Sequence, residues 1–431
     1  MANLSLLLAR HRYCSARGNC LIDCHLILTH STLIKLFTRH NLLSSGDYSQ
    51  ARVLPAMNES RVLSFLKDLI ATNSENPPGR EDCVAKVIRN HLEAYGISCI
   101  SVGPSKRPNL IFSSHEGEKG NLVLHGHMDT VPIGDPNNWK HDPFGAEIQG
   151  GLLYGRGACD MKGPVSAIVE TLILYTEEKH EKPLLVLTTS DEESGCSGAE
   201  EVAKSGRLSG VKFGVCAEPT DLQVLVGEKG IFWFKVIAEG KSAHGSRPEE
   251  GINAIKKCID AIEAISFKPF PHEIDELLGI PTLNIGMIEG GIKVNVVPAH
   301  CEAQLDIRTV KGQTPDSLTD LMNERLNSAG LSDRVRIEYI HGKPAVSTAQ
   351  DSDIVRVASD EIKRVLGTYP SLSAATYGTD CSVLQPKVGI TNVICGPGSI
   401  EQAHQPDEFI KLEQLFHSVD IYLGIARFFD Q

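Results

Sequence analysis

Leu184-Leu-Val-Leu-Thr-Thr189-Ser-Asp-Glu192-Glu193-Ser-Gly195 decides how the chain folds. Its first six residues carry no charge, are too few for a helix and read as a strand covered on both faces. The carboxylates behind it then stand at the mouth of a sheet, and the apolar-faced run Pro164 to Tyr175 ahead of it reads as the packing helix. Working outward, Val62, Leu63, Phe65, Leu66, Leu69 and Ile70 recur at helical spacing before Asn76-Pro-Pro-Gly79 stops the run, and Cys83 to Tyr95 forms a second helical stretch. Ser98 to Val102, Asn109 to Ser113, Asn121 to His127 and Val211 to Cys216 read as strands. Alternation of this kind is an α/β signature, with a mixed sheet.

After Gly230 the pattern changes. Strand Ile231 to Glu239, helix Asn253 to Ile265, strands Leu283 to Glu289 and Cys301 to Thr309, helix Pro315 to Ala329 and strand Val335 to His341 follow in the β-α-β-β-α-β order of a ferredoxin-like α+β unit. Alternation resumes with Ile354 to Leu366, Val393 to Cys395 and Leu412 to Phe429. The simplest architecture is one α/β domain, residues 57–230 and 342–431, interrupted by an inserted domain at 231–341.

With 431 residues and 41% hydrophobic content the chain can bury more than one core. Its net charge of −12 argues against a nucleic-acid or anionic-membrane partner and for a small ligand. The 12 cysteines contain no CxxC pair, so they read as reduced, mostly buried thiols of a cytoplasmic protein; Cys20-x-x-x-Cys24-His25 lacks a second ligand pair. Residues 1–56 are Arg-rich and acid-poor, as in an organelle-targeting leader or an upstream extension of the reading frame, and no stretch there is long and apolar enough to span a membrane. Met57, which opens a clean amphipathic helix, is the expected functional start.

Five weak signals carry the chemistry. In Leu122-Val-Leu-His-Gly-His127-Met-Asp129-Thr-Val, the i, i+2 spacing puts His127 and Asp129 on one strand face, with Asp129 placed to take the second N–H of a metal-bound imidazole. Tyr154-Gly-Arg-Gly-Ala-Cys-Asp160-Met-Lys-Gly163 delivers one carboxylate on a glycine-bearing loop. Adjacent Glu192 and Glu193 cannot point the same way, so one can bind a cation while the other moves a proton. Ala217-Glu218-Pro-Thr adds a strand-end carboxylate, and His404 stands in a turn-rich loop that ends at Glu408. Singly, each is also what a solvated strand end, a helix-capping Asp or a charge run produces. Together they supply the donors that two divalent cations sharing a carboxylate prefer.

At this point the chain resembles the two-metal amidohydrolases of the acetylornithine deacetylase, succinyl-diaminopimelate desuccinylase, aminoacylase and carboxypeptidase group. The resemblance runs from about Met57 to Gln431 and rests on HGHMDTVP and the GRGACDMKG to DEESG pair. It implies a zinc-exopeptidase type of catalytic domain with a lid or dimerisation insert. It implies one metal on His127 and Glu218, another on Glu193 and His404, Asp160 bridging, Asp129 clamping the histidine and Glu192 as general base. The metals expected are zinc, with cobalt or manganese as alternatives. By the same resemblance His244 reaches the oxyanion from the partner subunit of a homodimer, while Asn295 and Arg308 hold the substrate carboxylate. The loop Tyr377-Gly-Thr379-Asp380 looks close to substrate without a named role.

Glu at position 218 accompanies deacylases in such enzymes, where peptidases more often carry Asp. The expected reaction is therefore hydrolysis of an N-acyl amino acid, with N-succinyl-diaminopimelate first. Acetylornithine comes second, a metallo-exopeptidase or aminoacylase third, and a non-catalytic metal-binding dimerisation protein last. A lid carrying His244 would have to move to admit substrate.

Overall fold

The computed structural model describes residues 57–117 and 120–430. The basic N-terminal segment, its Cys20/Cys24/His25 group and its short apolar runs lie outside the described residues. In chain order the elements are α1 (Glu59–Ala71), α2 (Glu81–Glu93), β1 (Cys99–Val102), β2 (Asn109–Ser113), β3 (Leu122–His127), β4 (Glu147–Gln149), β5 (Leu152–Tyr154), α3 (Lys162–Glu178), β6 (Leu184–Thr189), α4 (Ser197–Ser205), β7 (Phe213–Cys216) and β8 (Val224–Glu228). They continue with β9 (Gly230–Glu239), α5 (Ala254–Ser266), β10 (Thr282–Gly290), β11 (His300–Thr309), α6 (Pro315–Ser328), β12 (Val335–Lys343), β13 (Val346–Ser347), α7 (Asp353–Leu366), β14 (Leu372–Ala375), α8 (Cys381–Val388), β15 (Thr391–Ile394), β16 (Phe409–Lys411) and α9 (Leu412–Phe429).

Nine strands make one mixed sheet in the order β1-β2-β6-β3-β7-β15-β8-β13, with β14 paired to β8. β6, β3, β7 and β15 run parallel, and antiparallel β1 and β2 close one edge. The period of two sorts β6 between two cores. Leu184 and Val186 face a cluster shared with α1, α2, α3, α7 and α9, whereas Leu185 and Leu187 face α4 and α8. β6 is buried along its whole length, as its uncharged sequence predicts. The mean direction of the parallel strands brings their carboxyl ends to one rim, the usual seat of a ligand site in such sheets.

The second sheet, β10-β11-β9-β12, is antiparallel and joins α5 and α6 in the β-α-β-β-α-β order over residues 230–343. It has its own core, in which Phe234, Val236, Cys258, Leu305 and Met322 are buried. Thr314 and Ser317 form a capping box at the start of α6, which explains why that helix begins where its pattern does.

Several elements have no counterpart in the sequence reading. β4, β5, β13 and β16 are too short to show a period, and β8 contains Gly227 and Glu228, which strands disfavour. Among these, β16-β5-β4 matters most, because it fastens the loop before α3 to the loop before α9 through Phe409↔Tyr154 pairing. Among the described residues no helix is long and apolar enough to cross a membrane. All described cysteines are free thiols, most of them buried.

Candidate metal centre

Three neighbouring parallel strands deliver their side chains to one rim. His127 is the last residue of β3, Glu192 and Glu193 follow β6, and Glu218 follows β7. Asp160 comes from the loop before α3 and His404 from the loop before β16, where it adopts a left-handed backbone with φ of 63°. His127 Nδ1 lies 2.9 Å from the Asp129 carbonyl, an acceptor, so this nitrogen is a donor and Nε2 is the nitrogen turned toward the neighbouring carboxylates. Nε2 stands 3.0 Å from Asp160 Oδ1 and 3.6 Å from Glu218 Oε1. On the other side of Asp160, His404 Nε2 is 3.4 Å from Oδ2 and 3.1 Å from Glu193 Oε2. Two donor groups thus share one carboxylate, His127/Asp160/Glu218 and Asp160/Glu193/His404.

The electrostatics fit cations. Burial, with the charge of Asp160, pushes Glu218 well above the ordinary carboxylate range, and burial raises Glu193 as well. Burial also works against the charge on Asp160, yet the two imidazoles hold it below its usual range. His404 is pushed up to about 10 by its hydrogen bonds to Asp160 and Glu193. Protons on the imidazoles thus sit where metal charge would serve the same carboxylates. Glu193 Oε1 is buried with no partner, a further oxygen for which a cation is the fitting neighbour.

Comparison with known proteins agrees with this geometry. A model of peptidase family M20/M25/M40 matches residues 123–427. The chain belongs to that family. Acetylornithine deacetylase of Edwardsiella ictaluri is 36% identical over 313 residues, which cover 71% of this chain and 79% of that protein. An M20 metallo-carboxypeptidase of Sulfolobus solfataricus shares the fold with a TM-score of 0.73 at 20% identity, over 86% of this chain and 99% of the other. A dinuclear metal-binding M20 peptidase of Bacillus subtilis does so with a TM-score of 0.67 at 18% identity, over 85% and 97%. The M20 chain is accordingly an amide-bond hydrolase.

In this M20 hydrolase Asp129 is placed differently from its sequence expectation. Its backbone carbonyl, not its carboxylate, takes the His127 proton; the carboxylate Oδ1 is 3.6 Å away. The carboxylate instead accepts the backbone N–H groups of Glu192 and Glu193, each at 3.2 Å, and Asn76 Nδ2 at 2.9 Å. Asp129 therefore fixes the carboxylate turn after β6 as well as the histidine. Asn76 also bonds Asp191 and is held by Arg107 at 2.6 Å, a support that the sequence reading missed because Asn76-Pro-Pro-Gly79 looked only like a helix stop.

Glu408 ends the His404 loop and shows no role by its local sequence. It is buried, and its carboxylate accepts the N–H groups of Gly157, Cys159 and Asp160 at 3.1, 2.8 and 2.9 Å while pairing with Arg156 at 2.6 Å. Those bonds shape the loop that carries Asp160. Gly157 is required there: its φ is +83° and a Cβ would stand 2.8 Å from Thr130 Cγ2.

Glu192 lies beside this pair of donor groups. Desolvation pushes its carboxyl up to about 8, and its Oε1 accepts the Cys196 thiol at 3.3 Å. Lys343, at the end of β12, contacts the same thiol. Asp380 accepts Thr189 Oγ1 at 2.5 Å and Thr379 donates to buried Glu228 at 2.7 Å, so the 377–380 loop is tied to β6 and β8. Tyr377 reaches the Pro219 carbonyl at 3.4 Å.

The residues expected from the second sheet are not gathered in. His244 is exposed, with Nδ1 2.7 Å from Ser246 Oγ, and its neighbour Gly245 donates to the Asn295 carbonyl at 2.8 Å. The backbone segments that carry His244 and Asn295 therefore lie side by side, and among the described residues neither side chain is bonded to the Asp160-centred donor cluster. Arg308 is forked onto Asp306 at 2.9 and 3.1 Å and touches the Thr376 carbonyl at 3.4 Å. A carboxylate two residues away on the same strand already fills its fork.

Proposed function

We propose that this M20 enzyme removes the acetyl group from an N-acetylated amino acid with a cationic side chain, acetylornithine being the type. The observation that carries hydrolysis is Asp160 shared between two donor groups with Glu192 beside them. The choice of acetyl over succinyl rests on the 36%-identical relative named acetylornithine deacetylase. The succinyl substrate put first from the motifs gives way, because those motifs encode only the metal donors that both reactions use.

His127 and Glu218 would hold one divalent cation and Glu193 and His404 the other, with zinc favoured by the nitrogen and oxygen donors, cobalt or manganese being the alternatives. When bound, such a pair polarises the amide carbonyl and makes a neighbouring water acidic. The rest belongs to the chain. Asp129 and Glu408 hold the donors in place, and Glu192 takes the proton of the attacking water and hands it to the departing nitrogen. In our reading Arg308, released from Asp306, pairs with the substrate carboxylate beside Asn295. The second sheet serves as lid and as homodimer contact, bringing a partner's copy of the His244 loop to the oxyanion. Acidic net charge, free thiols and this substrate class support a cytoplasmic enzyme.

Turnover of zinc- or cobalt-loaded protein on N-acetylornithine, N-succinyl-diaminopimelate and a dipeptide tests the reading, with Glu192→Gln as control. Preference for the acetyl substrate is expected. Preference for the succinyl substrate would restore the first reading, and cleavage of the dipeptide alone would overturn deacylation altogether.

A further inference from the structure

One layer below the metal-ligating rim lies a second cluster of a different chemical kind. His125 sits on β3 two residues before His127, and its register partner on β7 is Cys216. Cys381 opens α8 directly above them on the same face. All three are buried, and one donor atom from each lies within 4.8 Å of the others.

The surroundings of the imidazole are specific. His125 Nε2 stands 3.1 Å from Asn392 Oδ1 and 4.0 Å from Cys381 Sγ. Asn392 Nδ2 donates to the Ile390 carbonyl at 3.2 Å, which turns Oδ1 toward the imidazole. Asn392 reaches His125 by crossing Gly214 of the intervening strand β7; a Cβ on Gly214 would come within 2.0 Å of Asn392 Oδ1. His125 Nδ1 is buried without a regular hydrogen bond, and beside Asn392 the group that interacts most with the ring is the Cys216 thiol. Thiols pack in apolar interiors as small hydrophobic groups, so two buried cysteines alone need no explanation. An imidazole sealed among them with an unmatched nitrogen does, because a buried polar atom without a partner forfeits its hydration.

We propose that His125, Cys216 and Cys381 bind one thiophilic divalent cation of the zinc class, with Asn392 Oδ1 accepting the Nε2 proton so that the Nδ1 lone pair is left free. This site is distinct from the Asp160-centred pair. Two sulfurs and an imidazole nitrogen are a soft donor set, whereas the rim offers carboxylates and imidazoles. Binding converts both thiols to thiolates and releases their two protons, so the added charge is cancelled inside the fold and no electrons move. The cation ties β3, β7 and the start of α8 together, and their continuations carry His127, Glu218 and Asp380. It acts as a cross-brace under the catalytic rim.

The test uses full-length protein produced in cobalt-supplemented medium. No rim ligand has sulfur, so a thiolate-to-cobalt charge-transfer band in the near ultraviolet reports the new site. The expected result is that band together with a third equivalent of cobalt after desalting. The Cys216→Ser/Cys381→Ser double variant should lose both, and Cys83→Ser, at an exposed cysteine, should keep both. Absence of the band in wild-type protein, or its survival in the double variant, overturns the proposal. Should the double variant fail to fold, X-ray absorption at the cobalt edge of the wild type decides: sulfur neighbours support the site and an all-nitrogen-and-oxygen shell refutes it. None of these readouts uses turnover, so they stand or fall independently of the deacetylase reading.

Discussion

At the mouth of the nine-stranded sheet, His127, Asp160, Glu193, Glu218 and His404 each stand within 3.6 Å of a neighbour in the cluster. On the four-stranded sheet, His244 and Asn295 face solvent and Arg308 is occupied by Asp306. The difference lies in what holds each group. Buried bonds from Asp129, Asn76 and Glu408 seat the turn after β6 and the Asp160 loop, so the two donor groups come together within one chain. On the second sheet His244 is held by Ser246 and Arg308 by Asp306, and in the proposed reaction these residues act only after movement or through a second copy. The first set is preorganised; on the proposed mechanism the second is assembled when substrate arrives.

Substitutions at the rim should therefore act through the metals and those on the second sheet through substrate. Asp160→Asn is expected to have the largest effect, since it weakens both donor groups at once. Metal content should fall below the wild-type stoichiometry by elemental analysis, and turnover should drop roughly a thousandfold or more. Full metal content with normal turnover would dissolve the idea of a shared carboxylate. Glu192→Gln should keep its metals and lose kcat by roughly 10²–10⁴-fold, the usual range for a removed proton carrier. Loss of metal in that variant would make Glu192 a ligand instead.

On the second sheet, His244→Ala should retain metal and lower kcat by about 10²–10³-fold, as for a removed oxyanion donor. Mixing it with inactive Glu192→Gln protein sharpens the comparison: if the histidine acts across a dimer, mixed dimers regain activity, and if it acts within its own chain they do not. Arg308→Met should raise KM by about ten- to a hundredfold with little change in kcat, matching one charge-assisted hydrogen-bond pair to substrate. Asp306→Asn, which frees the fork, should lower KM. An unchanged KM in both would confine Arg308 to its pair with Asp306.

The same contrast explains what the sequence made legible. His127, Glu192, Glu193 and Glu218 were readable because each stands at a strand end next to an uncharged run, as Leu184 to Thr189 leads to Glu192 and Glu193, whereas Asp160 and His404 showed only as polar residues of glycine-bearing loops. Their supports were not readable, because Asn76, Arg107 and Glu408 act from 53 to 252 positions away along the chain and carry no local pattern. The His125, Cys216 and Cys381 cluster was hidden for the same reason: its members come from β3, β7 and α8, and only the register of the sheet brings them together. On the second sheet the order of strands and helices was fully readable, since periodicity reports burial. The state of Arg308 was not, because a fork that suits a substrate carboxylate suits Asp306 equally well.

The smallest effect concerns stability, and it separates the two sheets once more. Behind the large sheet, buried Glu178 at the end of α3 accepts Arg427 Nε at 2.9 Å and His180 Nε2 at 2.6 Å, and His180 Nδ1 bonds Asp430 at 2.8 Å, so α3 is fastened to α9. Burial opposes the charge on Glu178, but the bonds from Arg427 and His180 outweigh it and hold the carboxyl below its ordinary value. A depressed folded-state pKa means that this stabilisation is complete above the unfolded value, near pH 4.3, and is lost as pH falls through the folded value. Glu178→Gln should therefore cost about 1–3 kcal/mol in urea unfolding at neutral pH, and its difference from wild type should shrink toward zero in acid. Glu338→Gln, at an exposed pair with Arg336 on the second sheet, should leave both measurements unchanged. If the Glu178 deficit persists undiminished at low pH, its cause is packing between α3 and α9 and not the charge that the carboxylate carries.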